Sequence, residues 1–289
     1  MVQQIFDRQA IKRNRQRALS RSDGKSLFLL SHVAAEMADR LNFVDRKFER
    51  AAITSGNSGL IDAAFLAGTR HTAAIFPFDP GKKADWLTAS EEQLEPHYQE
   101  LDLALSFLSL HETNDTPGAL VQIRRALRPD GLFMGVMPAS NTLAELRECL
   151  TLAEAEIAGG ASPRIHPFMD VRTAGELLQR AGFALPVVDE ETITVRYPDM
   201  VALMRELRAM GAANALDARS RKPSSRAMFA RAAQIYQERF GAPDGRIPAT
   251  FTFVWMSGWA PSESQQKPAR RGSATASLEI ALKDIESSR

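Results

Sequence analysis

Two spacings of hydrophobic residues divide this chain into alternating strands and helices. Short apolar runs, or apolar residues at every second position, predict strands at residues 51–54, 72–76, 101–107, 132–137, 184–188, 192–195 and 250–259, with a weaker candidate at 85–88. Apolar residues three or four positions apart predict helices at residues 26–42, 59–67, 117–127, 142–158, 171–181, 200–210 and 227–240. Strands separated by helices pair in parallel, so the pattern predicts an α/β fold with helices on both faces of a sheet.

The two ends of the chain differ from this alternating part. We expect residues 1–45 to form an N-terminal helical segment, residues 46–260 the main domain, and residues 261–289 an extended or loosely attached tail rich in polar residues. The helical stretches at about 140–170 and 197–240 are expected to form a lid over the strand ends. The basic helix within residues 1–24 has two interpretations: it docks on the domain with a solvated basic face, or it contacts a partner or an anionic lipid surface.

Composition narrows the class of protein. The 289 residues have a net charge of +1, which gives no reason to expect nucleic-acid binding. The single cysteine, Cys149, rules out an internal disulfide and fits a reducing compartment. No apolar run approaches the length of a membrane span, and the first residues lack the apolar region of a secretory signal. We therefore expect a cytoplasmic protein, with a mature organelle protein as the lesser alternative.

The stretch Ile53-Thr54-Ser55-Gly56-Asn57-Ser58-Gly59 lies between a predicted strand and a predicted helix. A loop of small residues in that position lets backbone N–H groups at a helix start approach a ligand closely. Only two glycines are present, and the strand ends without an acidic residue. The pattern therefore predicts half of a nucleotide-type cofactor loop.

His111 is a weak candidate for a catalytic residue because it follows the strand at 101–107, at the edge where α/β sheets bind ligands. It could act as a general base or contact a substrate, and a structural role in the loop is at least as well supported. Asn114 and Asp115 are expected to cap the helix that begins near Pro117.

Other polar and aromatic groups have weaker support. Aromatic residues near the last strands could line a substrate pocket, but aromatics there usually belong to the core; they are Tyr197, Trp255 and Trp259. A charged cluster in the lid region could bind an anionic or guanidinium-bearing partner, although solvated charge is the default; it comprises Arg164, His166, Asp170 and Arg172. No spacing of His, Asp and Glu fits a metal site, and no nucleophile elbow of a serine hydrolase is present.

Several motifs resemble a known family over nearly the whole chain. The sequence resembles the class I S-adenosylmethionine (SAM)-dependent methyltransferases, within them the methyltransferase-11 group that includes malonyl-carrier-protein methyltransferase. It is nearer still to alphaproteobacterial relatives of the mitochondrial complex I assembly factor assigned as an arginine hydroxylase. The motifs are Ile5-Phe6-Asp7-Arg8, Leu108-Ser109-Leu110-His111-Glu112-Thr113-Asn114-Asp115, residues 123–133, 177–183 and 203–212, Trp259-Ala260-Pro261, and Ser264-Gln265-Gln266-Lys267-Pro268.

The resemblance implies a Rossmann-like fold with a mostly parallel seven-stranded sheet and a SAM site. The residues it assigns to that cofactor site are Thr54, Ser55, Gly56, Gly59, Asp79, Ser90, Glu91 and Leu108. The chain departs from the family motif where Ile53 replaces an acid and Ser55 and Asn57 replace glycines. Each lost charge-assisted hydrogen bond is worth about 1.5–3 kcal/mol, so SAM binding is expected to be weakened or lost.

Two functions follow from the resemblance. The chain is either a SAM-dependent methyltransferase acting on a small-molecule or protein acceptor, or an assembly factor for respiratory complex I. The assembly factor would have a complex I subunit as its partner, and it would either be non-catalytic or hydroxylate an arginine. Neither nucleic acid nor a transmembrane segment is expected.

Overall fold

The computed structural model describes residues 4–21, 28–55, 68–69, 74–77 and 100–266, with only the backbone described at residues 21 and 74–77. The helix predicted at residues 59–67, the strand candidate at 85–88 and the tail beyond residue 266 lie outside the described residues.

The described strands form one six-stranded sheet in the order β2-β1-β3-β4-β6-β5. The strands are β1 (Arg50–Ser55), β2 (Ala74–Pro77), β3 (Leu101–Phe107), β4 (Leu127–Pro138), β5 (Ala184–Tyr197) and β6 (Ile247–Trp259). β1 pairs in parallel with β2 and β3, and β3 pairs in parallel with β4, whereas β6 is antiparallel to both β4 and β5. In the sheet, β2 lies on one side of β1, and β3, the next strand along the chain, lies on the other. This reversal of strand order places a topological switch point at the carboxyl ends of β1 and β3.

Helices cover both faces of the sheet. They are α1 (Arg8–Arg21), α2 (Phe28–Asn42), α3 (Thr116–Ala126), α4 (Ala144–Ala158), α5 (Val171–Ala181), α6 (Met200–Ala209) and α7 (Arg226–Phe240). Strand residues alternate between two cores: Leu105 of β3 packs in a cluster with α2, α4, α6 and α7, while Ala104 packs in a cluster with α3 and α5. In β6, Phe253 belongs to the first cluster and Val254 to the second.

The predicted fold class, a Rossmann-like methyltransferase fold, is confirmed by this sheet and its flanking helices. The described residues supply six of the seven expected strands. Two predicted strands at 184–188 and 192–195 are wrong as separate elements, because β5 runs without interruption from Ala184 to Tyr197. Its polar middle is stable in a strand because β5 lies at the sheet edge, where Asp189 binds Arg40 and Glu191 accepts from Trp255 Nε1.

The N-terminal segment docks on the domain. Phe6 forms an isolated bridge with Leu216, and Asp7 N–H donates to the carbonyl of Ala215 at 2.8 Å. Phe6, Ala10 and Ile11 form a small core with Ala215 and Leu216. Docking is therefore confirmed, but the expected solvated basic face is wrong at Arg15, whose side chain is nearly buried. Contact with a lipid surface or partner stays a prediction.

Asn114 holds the N-terminal segment through hydrogen bonds to its backbone. Its Oδ1 accepts from the backbone N–H groups of Ile5 and Phe6, each at 2.8 Å. The prediction that Asn114 caps α3 is wrong, because its side chain points to a strand-like segment more than 100 residues away in sequence. Asp115 does cap α3, since its Oδ1 accepts from Gly118 N–H at 2.9 Å.

No helix of the described residues has both the length and the apolar character needed to cross a membrane.

Candidate functional site

A pocket lies at the carboxyl edge of the sheet, where β3 and β4 end. Its empty space amounts to about 920 Å³ when open solvent at its mouth is counted. Leu108 directly follows β3, and Pro138 ends β4. The remaining wall comes from four elements, α1, α2, α6 and β6, from the 3-10 helix Leu110–Glu112, and from the segments around residues 142–143, 164–168 and 210–214. The N-terminal segment and the predicted lid regions thus enclose one cavity beside the strand ends.

A buried ion pair stands in the wall of this pocket. Arg15 of α1 donates from Nη2 to Glu112 Oε2 at 2.8 Å, with the two side chains 12% and 9% exposed. Glu112 lies in a short 3-10 helix, Leu110–Glu112, that follows β3. An unpaired carboxylate at this depth would be strongly destabilising, so Arg15 is what allows Glu112 to stay ionised there.

Two histidines lie beside this pair. The ring centroids of His111 and His166 are 6.1 Å apart, and Phe168 contacts both rings. His166 Nε2 accepts from Ala215 N–H at 3.4 Å. His111 Nδ1 is buried and has no hydrogen-bond partner among the described residues. The pocket therefore contains a buried polar atom whose bonding capacity is unused.

Burial sets the protonation of these groups. It lowers the pKa of His111 to about 4, against the attraction of Glu112. It also lowers the pKa of His166, again opposed by Glu112. Burial alone would raise the pKa of Glu112, but the positive charge of Arg15 holds it below its usual value. At neutral pH the pocket thus holds two neutral imidazoles beside an ionised carboxylate.

A second cation, Arg164, is fixed at the pocket wall by Glu154. The guanidinium donates from Nε and Nη2 to the two carboxylate oxygens at 2.9 and 2.7 Å, a bidentate arrangement. Ser162 also donates to Glu154 through its N–H and hydroxyl groups. Because Glu154 balances its charge, Arg164 adds a fixed polar group to the pocket wall and no net charge.

The predicted cofactor residues are only partly within the described chain. Thr54 and Ser55 end β1, and the Thr54 hydroxyl donates to the carbonyl of Leu105 at 3.4 Å. Leu108 lines the pocket with φ at 48°, a left-handed conformation that is uncommon for leucine and frequent at functional sites. The other predicted positions lie outside the described residues: Gly56, Gly59, Asp79, Ser90 and Glu91.

The charged cluster predicted near the lid divides in the structure. Arg164 and His166 line the pocket, whereas Asp170 caps α5 by accepting from Thr173 N–H at 2.7 Å. Arg172 is exposed and pairs with Glu176 one turn along α5. The predicted core role of the aromatics is confirmed for Tyr197 and Trp255, which are 5% and 3% exposed.

Sequence reasoning missed Arg15 and Glu112. They lie 97 positions apart, so no local spacing could join them. Arg15 belongs to a helix for which one interpretation gave a solvated basic face, and Glu112 was named only as part of the motif Leu108–Asp115. A carboxylate directly after a buried strand was the one available signal.

The pocket combines a carboxylate already bound to a guanidinium, two neutral imidazoles and apolar walls. Another cation can bind Glu112 only if Arg15 moves away, and the unpartnered Nδ1 of His111 has capacity for a further hydrogen bond.

Comparison with known proteins identifies relatives along nearly the full chain. It is 39% identical to the arginine-hydroxylase NDUFAF5 of Danio rerio over 284 residues, which covers 95% of this chain and 88% of that protein. The human NDUFAF5 is 39% identical over 287 residues, covering 95% and 82%. The malonyl-(acyl-carrier protein) O-methyltransferase of Halorhodospira halophila is 30% identical over 277 residues, covering 91% and 92%. No family model matches the chain.

Proposed function

Because the chain belongs to the family that contains the NDUFAF5 arginine hydroxylases, we propose that it hydroxylates an arginine side chain of a partner protein. The reaction inserts one oxygen atom of O₂ into a C–H bond of that side chain to give C–OH. The second oxygen atom leaves as water, for which an external reductant such as a reduced nicotinamide or flavin supplies two electrons and two protons. The resemblance to the complex I assembly factor makes a subunit of the respiratory NADH dehydrogenase the favoured partner.

The observation that carries this proposal is the guanidinium already seated in the pocket. Arg15 brings its charged group against Glu112 in a site where both side chains are nearly buried. The site therefore has the depth and charge that an arginine from another protein requires. A charge-assisted hydrogen bond of this kind contributes about 1.5–3 kcal/mol.

In this proposal a substrate arginine takes the place of Arg15 at Glu112. The guanidinium would bind the carboxylate, and the methylene groups would pack on apolar side chains of the wall such as Ile165 and Phe168. The carbon atoms to be oxidised are then a few bonds from Glu112, next to His111 and His166. Exclusion of water by the apolar wall strengthens the ionic contact.

A deletion of the gene in its own organism tests the function. We expect impaired assembly of the NADH dehydrogenase and loss of a 16-Da mass increment from one subunit arginine, read by native gels and by peptide mass spectrometry. Complementation with the wild-type gene should restore both. Normal assembly together with unchanged arginine masses would contradict the proposal.

The double variant Arg15→Met, Glu112→Gln separates catalysis from a scaffold role, because it removes the carboxylate without leaving an unpaired buried charge. We expect it to leave the target arginine unmodified while the protein still accumulates. Tyr236, which is fully buried far along the chain on α7, offers a matched control: Tyr236→Phe removes one hydroxyl that donates to Pro248 and should keep hydroxylation. Restored assembly without the mass increment would favour the non-catalytic alternative.

Methyl transfer from SAM is the second candidate, favoured by the 30% identity to a malonyl-(acyl-carrier protein) O-methyltransferase. The described end of β1 offers the hydroxyls of Thr54 and Ser55 but no carboxylate, so this part of the edge fits SAM poorly. Isothermal titration decides between weakened and absent binding. No heat and no thermal shift at millimolar SAM would remove this candidate.

A further inference from the structure

The geometry points to a binding site for a divalent first-row transition metal ion formed by His111, Glu112 and His166. One ligand atom from each residue lies within 4.8 Å of the other two. Glu112 and His166 are buried, 7% and 8% exposed, and all three residues line the pocket. Nothing in the spacing of these residues along the chain indicates such a site, since His166 comes from a different segment.

The distances are close to those of a metal centre. Ligand atoms bound at about 2.1 Å to one ion lie roughly 3 to 4.2 Å apart, depending on the bond angle. The present spread of up to 4.8 Å therefore closes with side-chain movements of about 1 Å. The unpartnered Nδ1 of His111 is a second, independent sign, because a buried ring nitrogen in a polar pocket normally has a partner.

The ligand set also indicates the kind of metal. Two imidazoles and one carboxylate on one side of an ion leave positions open for small molecules, which is the ligand set of non-heme iron(II) oxygenases. Zn²⁺ accepts the same donors. An Fe²⁺ ion here would lie beside the proposed arginine site. That link to oxygen chemistry rests on the proposed function, whereas metal binding itself does not.

Two features oppose metal binding. Ala215 N–H donates to His166 Nε2 at 3.4 Å, so this bond must break or the ring must change tautomer before His166 can bind the ion. The other feature is Arg15. Its guanidinium bonds to Glu112 Oε2, which leaves the metal to bind through Oε1, and its positive charge repels a cation nearby. Carboxylates that bind metals commonly accept such a second hydrogen bond, so the two roles are compatible.

The test is titration of the full chain, stripped with chelator, with Mn²⁺ and under anaerobic conditions with Fe²⁺. Binding is followed by loss of the Mn²⁺ paramagnetic resonance signal and by calorimetry. We expect one site per chain that is weakened at least tenfold in His111→Gln and in His166→Gln. The metal should also raise the melting temperature of the wild type but not of these variants.

His32 provides the matched control. It lies on α2, forms a 2.9 Å pair with Glu191, and is not among the pocket residues. His32→Gln should bind Mn²⁺ as the wild type does. Circular dichroism of each metal-free variant establishes that a lost site reflects lost ligands and not unfolding. If a pocket variant fails to fold, the wild type still tests the site. Nitrogen couplings from two imidazoles are expected in the electron spin-echo spectrum of bound Mn²⁺, and their absence overturns the inference.

Three results would overturn the inference or its iron assignment. Absence of binding at millimolar Mn²⁺, Fe²⁺ and Zn²⁺ overturns the site. So does binding that is unchanged in both pocket histidine variants. Binding of Zn²⁺ alone overturns the assignment to iron chemistry. Because these readouts need no turnover, their failure is distinguishable from failure of hydroxylation, which is measured on the partner's arginine.

Discussion

Arg15 and Glu112 connect the N-terminal helix to the strand end where the pocket lies. Removing one member of a buried pair leaves an uncompensated charge, which is worse than removing both. We predict that Glu112→Gln lowers the free energy of unfolding by about 3–5 kcal/mol. The double variant Arg15→Met, Glu112→Gln should lose clearly less than the sum of the two single variants. Urea unfolding of the four proteins measures this coupling.

The second prediction at the residue scale concerns how the ionised Glu154 makes stability depend on pH. The hydrogen bond from Arg164, with further help from Ser162, lowers the pKa of Glu154 to about 2 in the folded protein. A carboxyl group with a lowered folded pKa stabilises the protein above its unfolded pKa of about 4.5, and this contribution is lost as the pH falls toward 2. The difference in unfolding free energy between wild type and Glu154→Gln should therefore shrink steadily from pH 6 to pH 3.

Glu176→Gln is the control for that series. Glu176 pairs with Arg172 on the exposed face of α5, with 58% of its side chain exposed, and exposed pairs of this kind contribute little. Equal pH dependence in the two variants would contradict the role of Glu154.

At the residue scale, the sequence predicted local roles such as helix caps better than it predicted which residues meet in the pocket. Asp115 was correctly placed as a helix cap because a cap depends on neighbours three positions away. Asn114 was not, because its partners Ile5 and Phe6 are distant in sequence. His111 was named as a candidate from its place after β3, but its neighbours Arg15 and His166 could come only from the folded chain.

Among the elements, the contact between β6 and the segment that links α5 to β5 depends on a glycine. A Cβ at Gly258 would lie 2.9 Å from Cβ of Phe183, an atom that cannot move without the backbone. Gly258→Ala should lower the free energy of unfolding by about 1–3 kcal/mol through overpacking. At Gly160 an added Cβ meets nothing within 4 Å, so Gly160→Ala should change stability by less than about 1 kcal/mol. Similar losses in both variants, measured by chemical denaturation, would contradict this account.

The helices were predictable because their apolar residues recur on one face, and the buried strands because both of their faces are apolar. The predicted strand at 101–107 and helix at 171–181 coincide with β3 and α5. The sequence predicted two strands in place of β5, because Asp189, Glu190 and Glu191 interrupt the apolar pattern. Only the sheet order explains them, because an edge strand has solvent along one side. Local pattern thus fixes the type of an element more readily than its continuity at a sheet edge.

For the whole molecule, the docking of the first residues decides whether the pocket has a complete wall. Asp7 accepts from Arg219 at 2.6 Å and from Arg221 at 3.2 Å, and it caps α1 through Ala10 N–H at 3.0 Å. The hydrogen bond from Arg219 holds the pKa of Asp7 well below its usual value. Asp7 therefore links α1, which carries Arg15, to the segment after α6 that also lines the pocket.

Asp7→Asn keeps an oxygen for the cap but removes the charge that holds both arginines. We predict faster amide hydrogen exchange in α1 and in residues 212–221, with β3 and β4 unchanged, because docked segments open at lower free energy than the core. Asp244→Asn removes an exposed pair with Arg196 and should leave α1 unaffected. Since Arg15 reaches Glu112 only from a docked α1, the same variant should also weaken the coupling between Arg15 and Glu112. An unchanged coupling energy would show that α1 is held in place by its apolar contacts alone.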